Sequence, residues 1–182
     1  GDFKIVFAEI LRTLKGCGYR VKARLLNAMF YGVPQSRERM IFVGVREDIG
    51  REPSHPLGWS VPVTVREAFA GVESPDSPQL TPLYRRYWHD AGQGGTVGKL
   101  SCVVRLAEHR PSTTVQKSGG SGDPFHPTEC RAVSTSERRR LGSFPDPFQF
   151  TGWRDAVERI GNSVPPLLMR SIARHVRTLI AR

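Results

Sequence analysis

The sequence predicts an α/β chain with more helix surface than its own sheet covers, and three observations predict it. Residues 2–15 space Phe3, Val6, Phe7, Ile10, Leu11 and Leu14 along one helix face, with Asp2 as N-cap and Gly16 and Gly18 as the stop. Apolar and basic residues alternate from Tyr19 to Leu25, and Met40–Val45 is a continuous apolar run rich in branched side chains. The first reads as a strand with one buried face, the second as a strand covered on both faces. Pro165 and Pro166 then open a final helix, where a missing N–H costs nothing; its stripe is Leu168, Ile172, Val176, Leu179 and Ile180, with Arg170, Arg174 and Arg177 off it. Two strands do not cover two amphipathic helices, so the chain either borrows a sheet from elsewhere or has a thin core. It starts at Gly1 with a helix already under way, as a piece of a longer chain would.

The elements between follow in order. Asn27–Arg39 is a loop carrying Gly32 and Pro34. Residues 46–62 turn polar with Pro53, Pro56 and Pro62, and 73–82 add Pro75, Pro78 and Pro82; Thr64–Phe69 is a short helix between them. Tyr84, Arg85, Arg86, Tyr87, Trp88 and His89 form a basic-aromatic cluster, suited either to nucleic acid or to a small local core. Gly92, Gly94, Gly95 and Gly98 make a flexible turn, Leu100–Leu106 a strand, and Ser118–Asp123 a Gly/Ser loop. Ser134 and Glu137 have capping-box spacing and open a helix through Leu141, which Phe144–Phe148 ends; Gly161–Pro166 is a turn.

Composition narrows the function classes. The 182 residues fit one domain or one and a half small ones. Apolar content of 38% with 24% charged residues argues against wholesale disorder. The longest aliphatic-aromatic run is Met40–Val45, far short of the about 20 residues of a membrane helix, and no basic-then-apolar leader opens the stretch. Cys17, Cys102 and Cys130 have neither disulfide-scaffold nor metal-ligand spacing, which predicts a reducing cytoplasm, no metal and structural cysteines. Lys and Arg number 27 against 17 Asp and Glu, a net charge of +10, which suits a polyanion partner.

Three segments carry candidate chemistry. Tyr31–Arg39 leads a Gly/Pro turn into a strand, and Gln35, Arg37 and Arg39 alternate along it, so two guanidiniums and an amide on one edge could clamp a phosphate and a base carbonyl, or form a strand-edge ion-pair set with Glu38. Arg159–Pro166 places Gly-Asn-Ser ahead of a Pro-opened helix, where free N–H groups suit a carboxylate or an ordinary cap. The third runs from Arg110-Pro111-Ser112-Thr113-Thr114 through His126-Pro127 to Phe150, with Arg138-Arg139-Arg140 as a solvated helix face or a phosphate contact.

In this order the three segments resemble the C-terminal half of the cytosine-C5 DNA methyltransferase family. YGVPQSRERMIFVGVR is similar to the family's eighth motif with its Gln-x-Arg-x-Arg core, RPSTT…HP…STSERRRLGSFPDPFQFTG to the ninth, and RIGNSVPPLLMRSIA to the tenth. One departure is Gly142, where the family commonly has Gln. The resemblance implies the C-terminal portion of a Rossmann-like, S-adenosylmethionine-dependent fold: 1–48 ending the catalytic domain, 49–108 a small irregular target recognition module, and 109–182 the hinge and return to the catalytic domain. It implies DNA as partner, with a methyl group moved to cytosine C5. Arg39 would contact the flipped base near O2, Arg37 would hold the active-site backbone and a DNA phosphate, and Gln35 would shape that loop. Asn162, Ser163 and Val164 would line the methionine end of the cofactor. Arg110 would brace the hinge, and Arg85, Arg86 and Tyr87 would contact DNA.

The reaction needs a thiolate to add at C6, an acid near N3 and a base to strip the C5 proton. The family carries the thiol in Pro-Cys-Gln and the acid in Glu-Asn-Val, and neither tripeptide occurs here, nor does the family's Gly-rich cofactor loop. The expectation is therefore an enzyme part that needs an N-terminal catalytic half, in cis or as a separate subunit. The alternatives are a non-catalytic DNA-binding module or inactive remnant, and an RNA substrate within the same family.

Overall fold

A computed structural model describes residues 2–73, 77, 79–97, 100–117 and 124–181, without the side chains of 2, 3, 97 and 100–103. The expected Gly/Ser loop at 118–123, Pro75, Pro78 and Gly98 lie outside the described residues, as do the side chains of Phe3, Leu100 and Cys102. Ten elements follow in order: α1 (Asp2–Gly16), β1 (Tyr19–Asn27), β2 (Glu38–Arg46), α2 (Val65–Phe69), α3 (Pro82–Asp90), β3 (Thr96–Val97), β4 (Leu100–Val104), α4 (Thr135–Leu141), α5 (Trp153–Asn162) and α6 (Pro166–Ile180). They fall into two compact units, each assembled from separated stretches: 1–26, 38–58 and 169–182 in one, 27–37 and 59–168 in the other.

In the first unit β1 and β2 pair as a two-stranded sheet. The Glu47 N–H donates to Gly18 O, and where the strands run on into the second unit the Ala28 N–H donates to Arg37 O. Both bonds pair positions summing to 65, so the strands are antiparallel with no net bulge. Gly18, at φ 78°, makes the turn out of α1, as a glycine after the helix should. The expected burial of the strands is corrected. Only Val43 and Val45 of the Met40–Val45 run are buried; Met40 is 37% exposed, and Ile41 and Phe42 are half-covered. On β1, Leu25 is 53% exposed and Leu26 is the buried residue. Phe7 of α1 packs on Phe42 with ring centroids 5.5 Å apart, while Ile5, Val6, Ile10 and Leu14 remain exposed.

The second unit has its own core: Val65, Ala68, Leu106, Val115, Val133, Leu141, Ala156 and Ile160, with Phe69, Phe144 and Phe150 against it. Each contributing helix has a local reason to form. Thr64 caps α2 and Ser134 caps α4, both with complete capping boxes through Glu67 and Glu137, and Thr81 caps α3 ahead of Pro82. α5 was not expected: Gly161 and Asn162 end a helix rather than open a turn. Its signal was present in Ala156, Val157 and Ile160, all buried on one face.

Candidate active site

The Gln-x-Arg segment lies in the second unit, and its turn is built by Asn27. The Asn27 Oδ1 accepts the Met29 and Arg37 backbone N–H groups, both at 3.2 Å, and its amide donates to Ser36 Oγ at 3.1 Å. One side chain thus closes both ends of the loop, with Gly32 at φ 79° between them. The extended stretch that follows pairs in parallel with 112–115. Ser36 N–H donates to Ser112 O at 2.8 Å, Ser112 N–H to Pro34 O at 3.1 Å, and Thr114 Oγ1 to Ser36 O at 2.9 Å.

Gln35 and Arg37 point into the protein. The Gln35 amide donates to Leu141 O at 3.1 Å and accepts Val115 N–H at 3.0 Å. Arg37 is 3% exposed, and its guanidinium donates to Val115 O at 3.1 Å, Gly161 O at 2.7 Å and Ser163 O at 3.0 Å. This corrects the reading of Arg37 as a phosphate ligand. Its planar fork is taken by backbone carbonyls, and it braces the loop. The three residues are accordingly not one outward clamp. Arg39, in the first unit, is half-exposed, and its Nη1 donates only to the adjacent Glu38 O.

Arg37 brings the Tyr31–Arg39 and Arg159–Pro166 segments together at the end of α5. Gly161 is required there, because a Cβ would fall on the Lys117 backbone. The Ser163 hydroxyl donates to Ile160 O at 2.8 Å and closes α5, so it is not a free ligand group. Asn162 and Val164 are exposed on either side of it. A solvent-facing amide and an apolar side chain thus flank a turn whose Gly161 and Ser163 carbonyls are held by Arg37.

The middle segment is an internal network. Glu137 accepts a bidentate bond from Arg131, both contacts 2.7 Å, and the Ser134 N–H at 2.8 Å. Burial pushes the Glu137 carboxyl up, but Arg131 and the Ser134 N–H together hold it below its ordinary value. His126 Nδ1 accepts the Glu129 N–H at 3.0 Å and the Thr128 N–H at 3.3 Å, which leaves Nε2 protonated, 3.5 Å from Glu137. Burial, then Arg131, lowers the His126 pKa. The Arg138–Arg140 run is corrected from a solvated face: Arg138 is fully buried, Arg139 donates to Phe148 O, and Arg140 grips Asp146 through two 3.0 Å bonds. Arg110 donates to Gly94 O at 3.0 Å, bracing the Gly92–Gly95 turn.

The basic-aromatic cluster divides between a small local core and exposed arginines. Trp88 is buried with Phe125 and donates to His126 O at 2.9 Å, under the Arg105 guanidinium at 3.7 Å. Tyr84 and Tyr87 pack half-buried on that core, while Arg85 and Arg86 stay exposed. Cys17 and Cys130 are free and exposed.

The family model for C-5 cytosine-specific DNA methylase matches residues 2–66 and 73–178. The chain is 33% identical over 201 residues to the Type II methyltransferase M.NgoFVII of Neisseria gonorrhoeae, covering 95% of this chain and 54% of that protein. It is 29% identical over 205 residues to the Type II methyltransferase M.BspRI of Lysinibacillus sphaericus, covering 97% of this chain and 47% of that one. It therefore spans about half the length of the curated relatives it matches. A prophage-encoded E. coli protein described as a DNA modification methyltransferase has the same mixed α/β fold, with TM-score 0.83 and 18% identity over all of this chain and 66% of that one.

Proposed function

This chain belongs to the C-5 cytosine-specific DNA methylase family, and from that premise we propose that it is the C-terminal part of a DNA (cytosine-5-)-methyltransferase. The reading assigns 49–108 to target recognition and 1–48 with 109–182 to the catalytic domain. Its strongest support is the Arg37 fork, which ties the Gln-x-Arg segment to the carbonyls of Gly161 and Ser163. That fork ties the loop of Gln35 and Arg37 to the Asn162–Val164 turn within the second unit.

S-adenosylmethionine supplies an electrophilic methyl carbon when bound. In this reading Asn162 and Val164, with the Ser163 backbone, line its amino-acid end. Arg39 binds the extruded cytosine near O2 and stabilises the negative charge that develops on the ring once a thiolate adds at C6. The thiol and the acid at N3 come from a stretch carrying Pro-Cys-Gln and Glu-Asn-Val, in cis or as a separate subunit. Arg85 and Arg86 on the exposed face of α3 contact DNA phosphate.

The test joins or mixes the chain with a polypeptide carrying those motifs and measures methyl transfer to duplex DNA. Arg39→Ala lowers turnover by about 100-fold, the loss typical of one transition-state donor, and leaves DNA affinity within about threefold. Equal losses in binding and turnover would make Arg39 a phosphate contact. Salt-dependent DNA binding without transfer in any pairing would favour a non-catalytic module.

A further inference from the structure

Among the described residues Ser143 is the only non-glycine at positive φ, 60°. An L side chain in that region crowds the neighbouring carbonyl, and such strain persists only where the surroundings over-determine it. The position follows α4: the Ser143 N–H donates to Arg140 O at 2.9 Å and the Phe144 N–H to Arg139 O at 3.0 Å. This is a left-handed helix end, the usual place for glycine. What a glycine would lack is the hydroxyl. The Ser143 Oγ accepts the Leu167 N–H at 3.2 Å. Leu167 is the second residue of α6, where a backbone N–H has no partner within the helix. Pro165 and Val164 carry no side-chain acceptor, and the Ser163 hydroxyl is turned back to Ile160 O. The cap of α6 thus comes from a residue 24 positions earlier, at the end of another helix.

We propose that Ser143 is a positioning residue for the Asn162–Val164 turn, accepting backbone strain at the end of α4 to fix the start of α6. Arg37 holds the near end of the turn through Gly161 and Ser163, and Ser143 holds the far end. The inference rests on the reading of that turn as the wall of the S-adenosylmethionine site.

Two variants separate strain from hydrogen bonding. Ser143→Gly relieves the backbone and removes the acceptor; Ser143→Ala removes the acceptor and keeps the strain. Thermal stability therefore splits, with Ser143→Gly at or above the parent Tm and Ser143→Ala below it. Positioning does not split. Both variants speed amide exchange across 162–168 by about five-fold, the factor carried by one hydrogen bond of ordinary net strength. In the chain joined to the missing motifs, both raise the KM for S-adenosylmethionine by about the same factor, with kcat little changed. Parent-like exchange and KM in Ser143→Gly would overturn the proposal, because the residue would then be only a strained helix end. If the joined parent chain binds no S-adenosylmethionine, the cofactor reading of the turn fails instead, and amide exchange with Tm alone decides the role of Ser143.

Discussion

Arg37 and Arg39 are two positions apart, of one residue type, and do opposite things. Alternation in sequence predicts that they share a side, and they would on a free strand. The parallel pairing of 34–37 with 112–115 instead turns Gln35 and Arg37 into the second unit, where three carbonyls from two separate stretches meet the guanidinium. No local pattern announces a buried arginine whose partners are backbone oxygens 78 to 126 residues away. Arg37→Met removes these charge-assisted bonds and costs about 3–5 kcal/mol, the range for breaking a buried ionic arrangement. Arg37→Lys recovers only part of it, because an ammonium cannot fork. Urea unfolding of the three proteins checks both statements. Asn27 was equally illegible, since its two accepted N–H groups belong to the two ends of a loop.

Elements defined by caps and periodicity were readable: α1, α4 and α6 lie where their stripes and capping residues place them. α5 was hidden because Gly152 opens it without a side-chain cap and Gly161 stands in its last turn, both signals of a break. That glycine is there for space. Gly161→Ala drives a methyl group into the backbone at Gln116–Lys117 and costs about 3 kcal/mol, the upper range for overpacking, measurable as a lowered Tm. Gly142, where the family commonly has Gln, has a related cause: a Cβ would meet Ile160 of α5 at 2.8 Å. The start of α4 carries a pH signature. His126 is held below its ordinary value of 6.5, so on acidification the unfolded chain takes up the proton first. Its contribution to stability is complete above about pH 6.5 and is lost as pH falls through the lower folded value. Tm therefore declines on going from pH 7 to 5, and His126→Asn, which keeps an acceptor for the Thr128 and Glu129 N–H groups, flattens that limb.

For the whole molecule, charge was legible as a total and not as a distribution. The stretches 1–26, 38–58 and 169–182 hold 13 Lys and Arg against 6 Asp and Glu, a net +7, while the other unit holds 14 against 11, a net +3. Much of the second unit's arginine is committed internally, which leaves Arg85 and Arg86 among its exposed cations. Replacing both with Gln lowers the magnitude of the log K against log salt slope on duplex DNA by about 1.8. An unchanged slope would assign the phosphate contacts to cations of the first unit. Two strands were expected to leave helix surface uncovered, through a borrowed sheet or a thin core, and α1 keeps Ile5 68% exposed with Val6, Ile10 and Leu14 exposed as well. The reach of Arg37 has a temporal side as well. Its partner carbonyls at Gly161 and Ser163 lie 124 and 126 residues downstream. A chain emerging from the ribosome carries that cation unhoused until residues 161–163 have followed it, so the loop consolidates only after the stretch that ends α5 has been made.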